Sequence, residues 1–299
     1  MTDRDRDKRV VRMFDDETLE DLQRKGLRLL QKKDGFRFGE DAVLLAHFAA
    51  RRWNEVTHSS SRFVELGSHS GIVSILLTAL IEDSEGFGIE LIQRQVELMR
   101  RNISLNRLNG RLAAIQGDIR ALSNDVGQLP TKIGAGTLDF VVCNPPYGVP
   151  GRGVSRNIET EFDFENQVAR EEVVCDFDDI CRLAAKLLRA KGKFYFCHRP
   201  ERFPELIQSL LRFQLMPVEL MLIAPRQIES PTLVLSTAIR LGNPGGFRFL
   251  KPLVVRDERS SYTPEMLAFV GGGDPYRPSA EDVEVQRVSR ARDDCEEFR

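Results

Sequence analysis

A short apolar run, Asp139-Phe140-Val141-Val142-Cys143, leads straight into Asn144-Pro145-Pro146-Tyr147. Two consecutive prolines fix φ and carry no N–H, so they hold a rigid turn whose carbonyls point outward. Asn144 sits at the carboxyl end of a predicted strand, where open α/β sheets receive their ligands. Tyr147 offers a flat face for stacking. Together these four candidate catalytic residues suit the capture of a planar –NH2 group. The lone pair of such an amine, on adenine or on a glutamine amide, is delocalised and attacks poorly. Hydrogen bonds accepted by Asn144 Oδ1 and the Pro145 carbonyl favour a pyramidal nitrogen and release that pair for methylation. Both acceptors are neutral, and no strong base is needed when a sulfonium donor leaves readily and the proton departs after transfer. Catalysis then rests on positioning and a preorganised polar environment. Taken alone, the four residues also fit an ordinary Asn-Pro turn.

The upstream pattern decides between these readings. Arg62–Leu66 reads as a buried strand, followed by Gly67-Ser68-His69-Ser70-Gly71 and an apolar helix over Ile72–Ile81. Gly86–Glu90 is a second strand, Leu91–Arg107 a long amphipathic helix, Leu112–Gln116 a third strand and Leu138–Cys143 a fourth. Alternating strands and helices imply a parallel sheet with right-handed crossovers. Glu65, Glu90, Asp118 and Asn144 recur about one strand-plus-helix unit apart, so all four fall on one rim. The loop of Gly67, Ser68 and Gly71 lets a ligand approach backbone at a helix N-terminus. Glu90 suits ribose hydroxyls, and Asp118 with Ile119 is placed at an adenine. Singly, each acid also reads as a helix N-cap. As an ordered set they describe S-adenosylmethionine better than NAD, because nothing offers a second nucleotide site.

The expected fold is therefore α/β: a Rossmann-like class I methyltransferase with a seven-stranded, mostly parallel sheet and an antiparallel edge strand. Glu171–Arg189 continues it as a helix, Lys193–Cys197 as strand five and Glu201–Phe213 as a helix with Pro204 in its first turn. Met216–Ala224 and Thr232–Leu241 form the antiparallel edge pair, and Val149–Gln167 reads as a substrate loop. The chain divides into a disordered 1–14, an N-terminal cap segment 15–61, a methyltransferase domain 62–255, a C-terminal segment 256–270 and a disordered, charged tail 271–299.

Composition fits a cytoplasmic enzyme. The longest apolar stretch, Ile72–Ile81, is too short to cross a bilayer, and the charged N-terminus has no apolar core of a signal peptide. Five cysteines form no C-x-x-C pair, which favours reduced thiols over a metal site. The net charge of −2 speaks against general nucleic-acid binding. Local clusters soften that objection: Lys25, Arg28, Lys32, Lys33 and Arg37 crowd one stretch, and Arg152, Arg156 and Arg170 follow the Asn-Pro-Pro-Tyr turn. Such runs are usually solvated faces, but beside the proposed site Arg152 and Arg156 are candidate phosphate contacts.

Residues from about Gly26 to Met266 resemble the bacterial tRNA1(Val) adenosine-37 N6-methyltransferases and their relatives. The resemblance rests on Gly26-Leu27-Arg28-Leu29-Leu30-Gln31, on Phe36-Arg37-Phe38-Gly39-Glu40-Asp41 with the apolar run after it, and on His198-Arg199-Pro200-Glu201-Arg202. Pro252-Leu253-Val254-Val255 and Ser261-Tyr262-Thr263-Pro264-Glu265 extend it. It implies methyl transfer from S-adenosylmethionine to N6 of the adenosine 3′ of the anticodon in tRNA. Phe38 and Asp41 would close over the cofactor, and His198 and Arg199 would face the substrate, though a helix N-terminal turn explains those two as simply. His69 departs from the pattern, which has glycine at the middle of the loop; so does Arg240-Leu241-Gly242-Asn243, where a lysine and paired glycines are usual.

Three other readings stay open. A glutamine methyltransferase for release factors needs the same chemistry, but normally carries an N-terminal helical domain. A DNA adenine or ribosomal RNA methyltransferase also fits, and the lack of a target-recognition segment disfavours DNA. A degenerate fold that binds RNA or a partner without catalysis is suggested only by His69. Neither a metal nor a membrane is expected as a partner, and a monomer is favoured.

Overall fold

The structure, a computed structural model, describes residues 9–22, 26–34, 37–56, 60–148, 175–271 and 283–288. The chain begins with β1 (Arg9–Phe14) and a hairpin of β2 (Glu17–Asp21) and β3 (Arg28–Lys32), followed by α1 (Glu40–Asn54). Four strand–helix units follow: β4 (Ser61–Leu66) with α2 (Ile72–Leu80), β5 (Ser84–Glu90) with α3 (Gln93–Leu105), β6 (Leu112–Gln116) with α4 (Ile119–Asn124), and β7 (Leu138–Cys143) with α5 (Phe177–Leu187). Then come β8 (Leu188–His198), α6 (Phe203–Arg212), β9 (Leu215–Ala224) and β10 (Leu233–Arg240). Two short strands, β11 (Arg248–Phe249) and β12 (Leu253–Val254), precede α7 (Pro264–Phe269) and β13 (Val283–Val288).

The central sheet runs β11-β9-β10-β8-β7-β4-β5-β6, with β12 also on β9. Strands β6, β5, β4, β7 and β8 are parallel, while β10 is antiparallel to both β8 and β9. This is the expected seven-stranded sheet, extended at its edge by β11 and β12. Strands β4 and β7 carry apolar residues on both faces because helices cover both faces. On one side α1 and α2 pack over a stack in which Phe63 and Phe140 lie parallel at 4.9 Å. On the other, α5 and α6 close over Val141, Phe194 and Phe196. No helix among the described residues is long and apolar enough to cross a membrane.

Both ends differ from expectation. Residues 9–14 and 283–288, read as disordered, form a parallel pair of strands. Their alternating apolar residues are the reason: Val11 and Met13 bury against Leu98 and Leu105 of α3, with Val285 beside them. The charge around these segments concealed a period-two pattern. The N-terminal cap segment consists of a hairpin and a helix. The C-terminal segment is tied to α1, where Arg256 Nη2 and Tyr262 Oη both donate to Glu40 Oε1, at 2.5 and 2.7 Å.

Two asparagines of α3 join the cap to the sheet. Asn102 and Asn106 stand four residues apart on one helix face and meet alternate residues of β3. Asn106 Oδ1 accepts from the Arg28 N–H at 2.9 Å and its Nδ2 donates to the Arg28 carbonyl at 2.7 Å. Asn102 does the same to Leu30, at 2.7 and 2.9 Å, and also donates to the Ser70 carbonyl at 3.0 Å. The two carboxamides thus replace a neighbouring strand, and Asn102 fixes the glycine loop as well. Asn102→Leu removes a fully buried set of partners. Each backbone group left unpaired costs about 1–3 kcal/mol, so denaturant unfolding should show a loss of at least about 2 kcal/mol.

Candidate active site

The parallel register gathers the strand ends. Glu65 and Glu90 lie at the carboxyl ends of β4 and β5, Asn144 directly follows β7, and all three line one cavity of ≈ 460 Å³. Asp118, Ile119, Gly67, Ser68, Phe38 and Asp41 line it too, as do Pro145, Pro146, Tyr147 and Arg199. Gly71 is not part of that lining, but its role in shaping the loop is clear. It caps α2 at φ 87°, and a Cβ there would lie 2.7 Å from Met99 Cγ. Gly67, at φ 71°, faces open space.

His69 takes the left-handed conformation at φ 48°, so the loop keeps its turn without a glycine. Its N–H donates to Glu90 Oε2 at 2.8 Å, while the Ile92 N–H donates to Oε1 at 2.9 Å. Glu90 is therefore aimed by two backbone groups, and its carboxylate keeps lone pairs for a ligand. Burial pushes the His69 imidazole down to about 4, which leaves it neutral at physiological pH. Replacing it should cost the cofactor nothing: His69→Gly is expected to bind S-adenosylmethionine equally or more tightly by calorimetry.

Glu65 has another partner. It is almost fully buried, and Oε2 accepts from the Ser74 N–H at 2.8 Å and from the Ser74 hydroxyl. Burial raises its carboxyl from 4.5 to about 8 despite these bonds, with Glu90 adding a smaller push. The folded protein thus holds a proton that the unfolded chain releases. The stability this gives is complete below pH 4.5 and falls as pH rises through about 8. Glu65→Gln should flatten the fall in melting temperature between pH 5 and 8.5, measured as the difference from the wild type. Asp118 caps α4, accepting from the Arg120 N–H at 2.8 Å, while still facing the cavity.

The Asn144–Tyr147 turn is closed on itself. Tyr147 Oη lies 2.8 Å from Asp41 Oδ2 and 2.6 Å from Asn144 Oδ1. The Arg199 guanidinium sits 5.0 Å from the centre of the Tyr147 ring. The ring is thus a partly covered plate rather than an open one. His198 corrects an expectation: it is fully buried and does not line the cavity. Instead its ring meets the Tyr147 ring edge-on at 5.2 Å, and its Nδ1 accepts from the Arg199 N–H at 2.8 Å. It supports Tyr147 and Arg199 from behind. Arg152, Arg156, Arg170 and Phe36 lie outside the described residues.

Two further residues belong here, and the sequence signalled only one of them. Arg37, read in sequence as one of a basic cluster, lines the cavity, and its guanidinium holds Glu20 at 2.6 Å. Cys197 reaches Asn144 from β8, a contact that only the strand register reveals. Among the described residues no three His, Cys, Asp or Glu side chains are grouped to hold a metal ion.

Among solved structures, a "predicted O-methyltransferase" from Agrobacterium tumefaciens superposes with a TM-score of 0.59 at 22% identity, over 83% of this chain and 99% of that one. The Pyrococcus horikoshii protein TYW2, in complex with MeSAdo, superposes with a TM-score of 0.50 at 13% identity, over 76% of this chain and 73% of that one. The chain has the methyltransferase fold. No family model matches its sequence, and no curated protein matches it either. On this fold the cavity occupies the carboxyl ends of the parallel strands, the ligand edge of such sheets.

Proposed function

We propose that this protein is an S-adenosylmethionine-dependent methyltransferase that methylates N6 of an adenosine in tRNA, at position 37 beside the anticodon. The observation that carries the reading is the placement of Asn144-Pro145-Pro146-Tyr147 at the end of β7, on the wall of the cavity that Glu90 and the glycine loop also line. The cavity suits the cofactor. Its volume is in the range of small-molecule sites, Glu90 presents a backbone-anchored carboxylate to a ribose, and Gly67 opens the loop to a ligand. Three carboxylates, Asp41, Glu90 and Asp118, line it against two guanidinium groups, Arg199 and the Glu20-paired Arg37, a balance that favours a cationic ligand over an anionic one. Bound there, S-adenosylmethionine supplies an electrophilic methyl group.

The chain's own residues do the rest. Asn144 Oδ1 and the Pro145 carbonyl accept the two N–H bonds of the target amine, and Tyr147 takes the base on its ring once Arg199 moves from that face. A base leaving its stack costs a few kcal/mol, and stacking on an aromatic ring returns about 1–3 kcal/mol. Arg199, Arg152 and Arg156 would meet phosphates, so binding should weaken steeply with salt.

The test is transfer of labelled methyl to bulk tRNA lacking its modifications, followed by nucleoside mass spectrometry. N6-methyladenosine in one tRNA is expected, and Asn144→Ala should abolish it while leaving both binding constants largely intact. Tyr147→Ala should weaken use of tRNA by about tenfold or more with cofactor affinity unchanged, whereas Tyr147→Phe, which keeps the plate, should not. Label in a protein glutamine instead of RNA would move the substrate to the protein class. Equal loss of cofactor affinity in Tyr147→Ala would remove the stacking role.

A further inference from the structure

The parallel pairing of β7 with β8 ends at Cys143 opposite Phe196, so the next residues, Asn144 and Cys197, stand side by side at the rim. Cys197 Sγ lies 3.0 Å from Asn144 Oδ1 and 3.3 Å from Tyr147 Oη, and its side chain is fully buried. Burial pushes the Cys197 thiol and the Tyr147 hydroxyl well above their ordinary values, so both keep their protons. Two protons must then serve the close contacts around Tyr147. The carboxylate of Asp41 is the better acceptor for the hydroxyl. That leaves the thiol proton for Asn144 Oδ1, a weak but directional bond.

This assignment matters because a carboxamide has two ends of nearly the same shape. With oxygen outward, Asn144 accepts from a substrate amine. Turned by half a rotation, it would present its own N–H groups to that amine and repel it. A donor on the neighbouring strand distinguishes the two, and it uses only one of the two lone pairs on Oδ1. We propose that Cys197 is the positioning residue that holds the Asn144 carboxamide with its oxygen toward the substrate amine. Tyr147 Oη, placed to donate at 2.6 Å, reaches the second lone pair and gives it up when the amine enters. The inference rests on the role given to Asn144 in the proposed reaction.

The experiment compares Cys197→Ala and Cys197→Ser with the wild type, using two readouts. The first needs no substrate: the side-chain amide resonances of Asn144, identified by their absence in Asn144→Ala. Cys197→Ala should shift this pair or bring it into exchange, and Cys197→Ser, which keeps a donor, should return it toward its original position. The second is kinetic. Cys197→Ala should lower kcat about tenfold with KM for cofactor and tRNA unchanged, and Cys197→Ser should recover most of it. Unmoved amide resonances, or equal loss in the Ala and Ser variants, would overturn the proposal. If Cys197→Ala loses its fold, the donor-free Cys197→Val takes its place. A wild type that methylates no tRNA would count against the proposed function alone, since the resonances still decide the contact between Cys197 and Asn144.

Discussion

The parallel register of β7 between β4 and β8 is the constraint on which the site depends. It places Leu66 beside Cys143, and Cys143 beside Phe196. Everything chemical then follows one step further on, where the strands end and the backbone is free to turn. Gly67 opens the loop, Asn144 enters the double proline, and Cys197 and His198 come up behind. A slip of one residue in this pairing would reverse which faces the side chains take, so the buried aromatic layer of Phe63, Phe140 and Tyr195 fixes the active residues as firmly as it fixes the core.

The polar groups at this rim are held by the protein's own backbone and side chains. Glu90 is aimed by the N–H groups of His69 and Ile92, the cap is held by the asparagines of α3, and Asp41 reaches the catalytic turn from α1 through Tyr147. This last contact joins the side that would receive a cofactor to the side that would receive an amine. A ligand drawing on Asp41 therefore changes what Tyr147 can do. The Asn144–Tyr147 turn is preorganised in position, and its side-chain hydrogen bonds are satisfied internally.

Much of this was legible in the sequence, for identifiable reasons. The spacing of Glu65, Glu90, Asp118 and Asn144 reflects the length of a strand-plus-helix unit, so it encodes the rim directly. Helix α2 and strands β6 and β7 follow from apolar pattern and composition. The hairpin β2–β3 was hidden because its edge is completed by Asn102 and Asn106 from a distant helix. The pairing of β1 with β13 joins opposite ends of the chain, and no local pattern specifies such a partner. Glu65 lines the cavity, and its carboxyl is also bound to Ser74 of α2, a contact that exists only once the helix has packed. His198 was assigned to the substrate from its neighbours in sequence, but the strand direction turns it inward and Arg199 outward.

The most direct test of this account is calorimetric titration of S-adenosylmethionine into the wild type and into Glu90→Gln. The account predicts one site per chain in the wild type. Affinity in the variant should be lower by about tenfold or more, since a hydrogen bond to a charged group is worth about 1.5–3 kcal/mol. A wild type that does not bind S-adenosylmethionine, or a variant that binds it unchanged, would contradict the assignment of this cavity.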